Sequence, residues 1–375
     1  MSERVARAAL SRLSEPGDMR LGVLVGRLGA NRVFELLREE QDIAGVYTDV
    51  AARLRGLEPE RELEQAEAQG IRFVCPEDDE WPRALDDLDR AEPLQDRGGR
   101  PLGLWVKGAL RLDEATRDAA AVVGSRSATT YGAAVASDLA AHVSENGFTV
   151  VSGAAFGIDQ AAHRGALATK GLTVAVLACG VDRAYPSAHR NLLDYIADTG
   201  LVVSELPPGC APTRVRFLSR NRIIAGLAQG TVVVEAAVRS GALNTANWTT
   251  RLNRVLMGVP GPVTSAPSQG VHELIRSRGA ALVTRGQDVL ELLSPSGSFL
   301  SEVPRAPVLV TDRLSDRERQ VLDAVPMLRP ASADSIARTA GVAARDASGA
   351  MERLQQLGLV ERTTAGWRRA DEVAG

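Results

Sequence analysis

The sequence predicts an α/β fold: an extended Rossmann-like parallel sheet, preceded by a helical domain and followed by a winged helix. Three observations carry that prediction. From residue 119 to residue 285, short apolar runs rich in Val and Ala alternate with helical stretches, the mark of parallel strands joined by right-handed crossovers. Ahead of residue 70, apolar residues recur at helical spacing. Beyond residue 313, three helical segments lead into a short hairpin.

In residues 1–70, Leu10, Leu13, Leu21, Leu24, Val25, Leu28, Val33, Leu36 and Leu37 mark apolar helix faces, and Gly22, Gly26 and Gly29 punctuate them. A small helical module of SAM-like or helix-hairpin-helix type fits. Residues 71–112 read as a connecting extension with a strand at each end and a Trp81-Pro82 turn between. The Rossmann-like domain spans 113–293. Its strands lie in AAAVV, FTVVS, LTVAVL, LVVSEL, TVVVEA, RVLMG and ALVTR, with helices expected over 130–146, 159–169, 191–198, 220–228, 244–254 and 272–278. The Ser/Pro-rich stretch 294–312 reads as a linker, and 313–372 as the winged helix, opening at the start signal Leu314-Ser315-Asp316.

Composition narrows the function. At 375 residues, two or three domains are expected. A net charge of -3 excludes whole-surface attraction to nucleic acid or anionic membrane, so any such binding has to come from a patch. Cys75, Cys179 and Cys210 form no CxxC pair, and His142, His163, His189 and His272 no HxxxH pair. No metal site or disulfide framework is expected, and a reducing compartment fits. The chain opens polar, without a signal-peptide core, and no apolar run approaches a membrane span. The expected location is cytoplasmic.

The patch is visible. Residues 214–254 hold Arg214, Arg216, Arg220, Arg222, Arg239, Arg251 and Arg254 against a single acid, Glu235. Guanidinium forks and backbone amides at strand ends suit phosphate oxygens, and in open α/β sheets ligands sit beyond the carboxyl ends of the strands. The candidate site residues all stand near such ends. Gly124-Ser125-Arg126 follows the first strand. Ser152-Gly153-Ala154-Ala155-Phe156-Gly157 follows the second, with Asp159 read as a helix cap and His163 as a packed helix residue. Asp182 is expected to close a turn after the third strand. Glu205, after the fourth, is expected to orient an arginine. Arg220-Asn221-Arg222 is expected to open a helix, where the helix dipole and two guanidiniums favour an anion. Arg239-Ser240-Gly241 forms the turn after the fifth strand, with Glu235 holding arginines in position. Neither GxGxxG nor GK[ST] occurs at these turns, which argues against a dinucleotide cofactor or an ATPase; no cofactor is expected.

Taken in order, VGSR at 123–126, SGAAFGID with His163, CGVD-x2-YP at 179–186, SE at 204–205, RNRIIAGL at 220–227, VVEA-x2-RSGAL-x-TA at 233–246 and VPG at 259–261 resemble the motifs of the DNA-processing protein A (DprA/Smf) family. The resemblance spans essentially the whole Rossmann-like region. It implies a single-stranded DNA-binding protein, not an enzyme, that acts without nucleotide hydrolysis, protects incoming strands and loads the RecA recombinase in natural transformation. It also implies a homodimer, with a contact around residues 274–283. Carried over, Arg126, Gly153, Gly157, Arg220, Asn221, Arg222, Ser240 and Gly241 line the strand pocket, Arg126 and Arg222 grip phosphates, and Gly153 and Gly157 present amides. Lys170 stands near the place of a lysine that the family often carries before the third strand. The chain departs from the family pattern at Gln269-Gly270-Val271-His272 and in the segment NWTTRLNRVLMGVPG.

Two other readings compete. A nucleotide phosphoribohydrolase-like Rossmann enzyme would place phosphate in the same turns and use Glu235 as acid or nucleophile, but the PGGxGTxxE signature of that group is absent. A duplex-binding transcription module would rely on the C-terminal unit, whose AARDASGAMER segment is not strongly basic. With 4% aromatic residues, phosphate contacts are expected to outweigh stacking, although Phe156, Tyr185 and Phe217 could each receive a base.

Overall fold

The computed structural model describes residues 1–299 and 309–370. The chain divides into two compact units, Met1–Ser301 and Glu302–Gly375. Part of the expected linker, 300–308, and the end of the expected winged helix, 371–372, lie outside the described residues.

The first unit is built on one sheet. Its strands are β1 (Ile71–Val74), β2 (Leu104–Lys107), β3 (Ala119–Val123), β4 (Thr149–Ser152), β5 (Thr173–Leu177), β6 (Leu201–Ser204), β7 (Gly230–Val233), β8 (Val255–Gly258) and β9 (Ala281–Leu282). They lie in the order β1-β2-β6-β5-β4-β3-β7-β8-β9. From β6 to β9 every pairing is parallel, whereas β2 runs antiparallel to β6 and β1 antiparallel to β2. The 71–112 segment, expected as a connecting extension with a strand at each end, supplies the sheet's antiparallel edge. Gly108, directly after β2 at φ 125°, leaves no room for a side chain, because a Cβ there would stand 2.5 Å from Gly200 O beside β6.

Every residue of β3, β4, β5, β6 and β7 is buried, as strands covered on both faces must be. Alternation along each strand then assigns the faces. Ala120, Val122, Val150 and Val232 meet the helices Thr130–Glu145 and Ile158–Ala168. Ala121, Val123, Val151 and Val233 meet Arg214–Leu227 and Ala242–Arg251 on the other face. The chain leaves β3 toward β4, β5 and β6, then returns across the sheet to β7 on the opposite side of β3. That reversal opens a crevice beyond the carboxyl ends of β3, β4 and β7.

Five helices precede the sheet: Glu3–Leu13, Met19–Leu28, Ala30–Arg38, Val46–Leu54 and Pro59–Glu67. They bury Leu10, Leu13, Leu21, Val33, Phe34 and Leu37 among themselves. The first helix also docks on the sheet edge, where Arg4 donates to Phe73 O (2.6 Å), Arg7 to Glu77 (2.7 Å) and the Trp105 indole to Ser11 Oγ (3.4 Å). The described part of the second unit holds the helices Asp316–Ala324, Ala333–Ala340 and Ala344–Gln356 and an antiparallel hairpin, β10 (Val360–Thr363) and β11 (Gly366–Arg369), closed over Val321, Ile336, Met351, Leu354 and Trp367. Ser315 and Glu318 cap the first of these helices reciprocally. Among the described residues no helix is long and apolar enough to cross a membrane.

Helices Thr130–Glu145 and Ile158–Ala168 pack tightly at Gly165, where an added Cβ would stand 2.2 Å from Ser137 O. Because the Ser137 backbone blocks it, Gly165→Ala is expected to destabilise the first unit by about 1–3 kcal/mol. Urea denaturation checks this, and an unchanged midpoint would contradict the close packing.

Candidate nucleic-acid interface

Three loops meet in the crevice and are tied to one another before any ligand arrives. Ser125 N donates to Glu235 O (2.7 Å), and Ile158 N donates to Ser125 O (3.1 Å). Gly157 sits at φ 77°, and a Cβ there would lie 2.3 Å from Ser125 O. Glycine is thus required by the turn and by contact with the neighbouring loop. The three loops and the Arg214–Leu227 helix enclose a cavity of about 660 Å³.

Its wall is cationic. Arg126, Arg214, Arg220 and Arg239 line it, and Asp159 is the one acid among the described lining residues. Arg220 is 6% exposed. Its guanidinium lies over Gly153, where a Cβ would stand 1.9 Å from Nη1, and Nη1 donates to Val176 O (2.5 Å). Nε is buried without a partner. Burial pulls the pKa of Arg220 down to about 10, opposed by the Asp159 carboxylate, so it stays charged at neutral pH. Burial in turn raises the pKa of Asp159, against the pull of Arg220 and of backbone donors at Ala155, Gly124 and Gly153. Arg126 is exposed, with Cζ 4.5 Å from the Phe217 ring centroid, and Tyr185 tilts against the same ring at 5.5 Å. The ring steadies Arg126 by cation–π attraction without neutralising it. None of the four arginines is in a salt bridge among the described residues.

Two helices start at the rim. Thr213 caps Arg214–Leu227, its hydroxyl accepting from Arg216 N, and Ala242–Arg251 begins directly after Gly241. A Cβ on Gly241 would meet nothing within 4 Å, so this turn is open to the cavity. Helix N-termini, guanidiniums and a hydroxyl at Ser240 converge on one space, and such a donor set receives an anion. Among the described residues no cluster of His, Cys, Asp and Glu could hold a metal ion.

Residues 72–294 match the family model described as DNA recombination-mediator protein A. The chain belongs to that family. It is 44% identical over 375 residues to the putative DNA processing protein DprA of Mycobacterium tuberculosis, covering 99% of this chain and 95% of the relative. The crystal structure of DNA processing protein A from Streptococcus pneumoniae superimposes with a TM-score of 0.64 at 31% identity, over 78% of this chain and 99% of that one. DNA processing protein A from Helicobacter pylori, solved for its single-stranded DNA binding mode, matches with a TM-score of 0.50 at 27% identity, over 58% and 94%. The sheet is that of DprA structures.

Of the site residues expected from the sequence, Gly124, Ser125, Arg126, Arg220, Asn221, Arg239, Ser240 and Gly241 line the cavity together. The others do not, each for a physical reason. Arg222 points to the opposite side of its helix and is fully buried. Both its Nη atoms donate to Glu205 at 2.6 Å, and Nε donates to Gly99 O at 3.0 Å. Its expected grip on phosphate is corrected, and Glu205 does orient an arginine, this one. The helix begins at Arg214, not Arg220, so Arg220-Asn221-Arg222 is mid-helix. Among the described residues Glu235 is paired with no arginine: its carboxylate accepts from Thr129 N (3.0 Å) and Thr129 Oγ1 and so fixes the start of the next helix. Lys170 follows the far end of the Ile158–Ala168 helix, about 17 Å from the crevice at 1.5 Å per residue. Ser152 is buried in the sheet, donating to Val122 O. Gly153 and Gly157 serve Arg220 and the loop contact. Phe156 lies just outside the rim, 47% exposed, with its ring against His189 at 4.7 Å.

Asp182 holds its turn as expected, accepting from Gly209 N (2.9 Å). His163 is packed, bonded through Nδ1 to Thr173 Oγ1. Arg214, Thr213 and Asp159 are cavity residues that the sequence reading left out of the site. A signal existed for the first: Arg214, Phe217, Leu218 and Asn221 are spaced three, four and seven apart and share one helix face.

The same geometry separates two arginines that look alike in sequence. Arg222→Ala leaves Glu205 with no partner in a nearly dry site and is expected to cost about 3–5 kcal/mol of stability. Arg126→Ala is expected to stay within about 0.5 kcal/mol of the parent. Guanidinium titrations of both variants decide it, and equal stabilities would overturn the assignment.

Proposed function

We propose that the protein binds single-stranded DNA in the crevice, by contact and without chemistry. The observation that carries this reading is the set of four arginines around one cavity, all free of salt bridges among the described residues. Arg126, Arg214 and Arg239 hold phosphates at the rim, while Arg220 supplies a fixed charge in the floor. Tyr185 and Phe217 offer rings for bases, a combination that tracks a strand without reading its sequence. Membership of the DNA recombination-mediator protein A family and the single-stranded DNA binding of the Helicobacter pylori relative support it. On this reading the protein protects incoming strands and loads the RecA recombinase during natural transformation, needs no ATP, and works in the cytoplasm. It pairs as a homodimer through the 274–283 region, where the edge strand β9 leaves Leu282 exposed. The C-terminal unit acts as a winged helix.

The phosphoribohydrolase alternative needs a carboxylate free to act in the cavity. Glu235 is engaged by Thr129 and is absent from the lining, which counts against it.

Fluorescence anisotropy of a labelled poly-dT oligonucleotide, without nucleotide and at two salt concentrations, tests the reading. Arg126→Ala is expected to weaken binding to all sequences alike and to lower the salt slope by about one. Tyr185→Ala is expected to cost about 1–3 kcal/mol of affinity with the salt slope unchanged. Absence of binding by the parent protein at low salt would rule out the proposal.

A further inference from the structure

The two halves of the Arg214–Leu227 helix are held differently. Every residue of its second half, from Ser219 to Leu227, is buried, so packing fixes it. The first half carries Arg214, Phe217 and Leu218 to the cavity and is exposed or half-buried throughout. Arg216 turns away from the cavity. Its Nε and Nη2 meet the two oxygens of Glu15 at 2.8 and 2.7 Å, and its Nη1 donates to Ala211 O at 2.7 Å. Glu15 follows the first N-terminal helix, 201 residues earlier in the chain. Beside it Arg12, paired with Glu62, reaches Cys210 Sγ at 3.7 Å in the loop leading to the same helix.

Beside Glu15 a second cavity of about 290 Å³ is bordered by Gly22, Gly26, Gly98 and Glu205. The front of the pocket helix, exposed or half-buried throughout, is tied to the N-terminal helices by this bidentate fork. Hydrogen bonds from Arg216 hold the Glu15 carboxyl below its ordinary range, so the fork is intact at neutral pH.

We propose that the N-terminal helices are a working part of the binding pocket: Glu15, acting through Arg216, positions Arg214 and Phe217 for the bound strand. Glu15 and Arg216 are positioning residues that touch no DNA themselves. The inference rests on the single-stranded DNA reading above.

The test uses the full-length protein and a labelled dT oligonucleotide, with thermal melts confirming that each variant is folded at the temperature of the titration. Glu15→Gln is expected to weaken binding about tenfold, because the charged partner of a half-buried fork is lost. Arg216→Glu is expected to weaken it at least as much. The reversed pair, Glu15→Arg with Arg216→Glu, is expected to return affinity to within about threefold of the parent. A contact role for Arg216 predicts the opposite pattern: binding unchanged or tighter in Glu15→Gln, and a reversed pair as weak as Arg216→Glu alone. Either result overturns the inference while leaving the single-stranded DNA reading in place. Failure of the parent protein to bind sinks both.

Discussion

A guanidinium that is 6% exposed and has no salt bridge among the described residues is costly to build into a protein. Arg220 is such a group, and much of the crevice is arranged to tolerate it. Gly153 leaves room for its plane, Val176 O accepts one of its protons, and the buried Asp159 faces it. Asp159 is in turn held by backbone donors from the loops after β3 and β4. The charge in the floor and the shape of the loops are thus one construction. On the proposed reading, the phosphate of a bound strand would add a second counter-charge beside Asp159.

The cationic segment 214–254 is divided between two tasks. Arg216 and Arg222 are taken by Glu15 and Glu205. Arg251 donates to Glu92 O and Pro93 O, and Arg254 to the carbonyls of Ala84, Ala225, Gly226 and Ala228. These four join the N-terminal helices and the 71–112 segment to the sheet. Arg214, Arg220 and Arg239 remain at the cavity, where Arg126 joins them from another loop. A guanidinium can serve either task, because its five donors match carbonyls and carboxylates as well as phosphates.

The strands were legible because fully buried parallel strands read as continuous apolar runs, and the β3–β9 segments stand where those runs lie. The Arg214–Leu227 helix was read short because its polarity changes along its length and not around its circumference: the first turns are exposed and the last are buried on every side. Such a helix has no apolar stripe running along its whole length. The 71–112 strands were seen, yet nothing local to them says that β2 will pair antiparallel with β6, almost a hundred residues later.

The sequence by itself determined the alternation of strands and helices, the loops at the strand ends and the local excess of arginine, since each is written in residues close together in the chain. Only the tertiary structure decided which arginines face the cavity. Arg220 and Arg222 are two residues apart on one helix, and the roughly 200° between them turns one toward Gly153 and the cavity and the other toward Glu205. That choice depends on partners far away in sequence, and no local pattern encodes it.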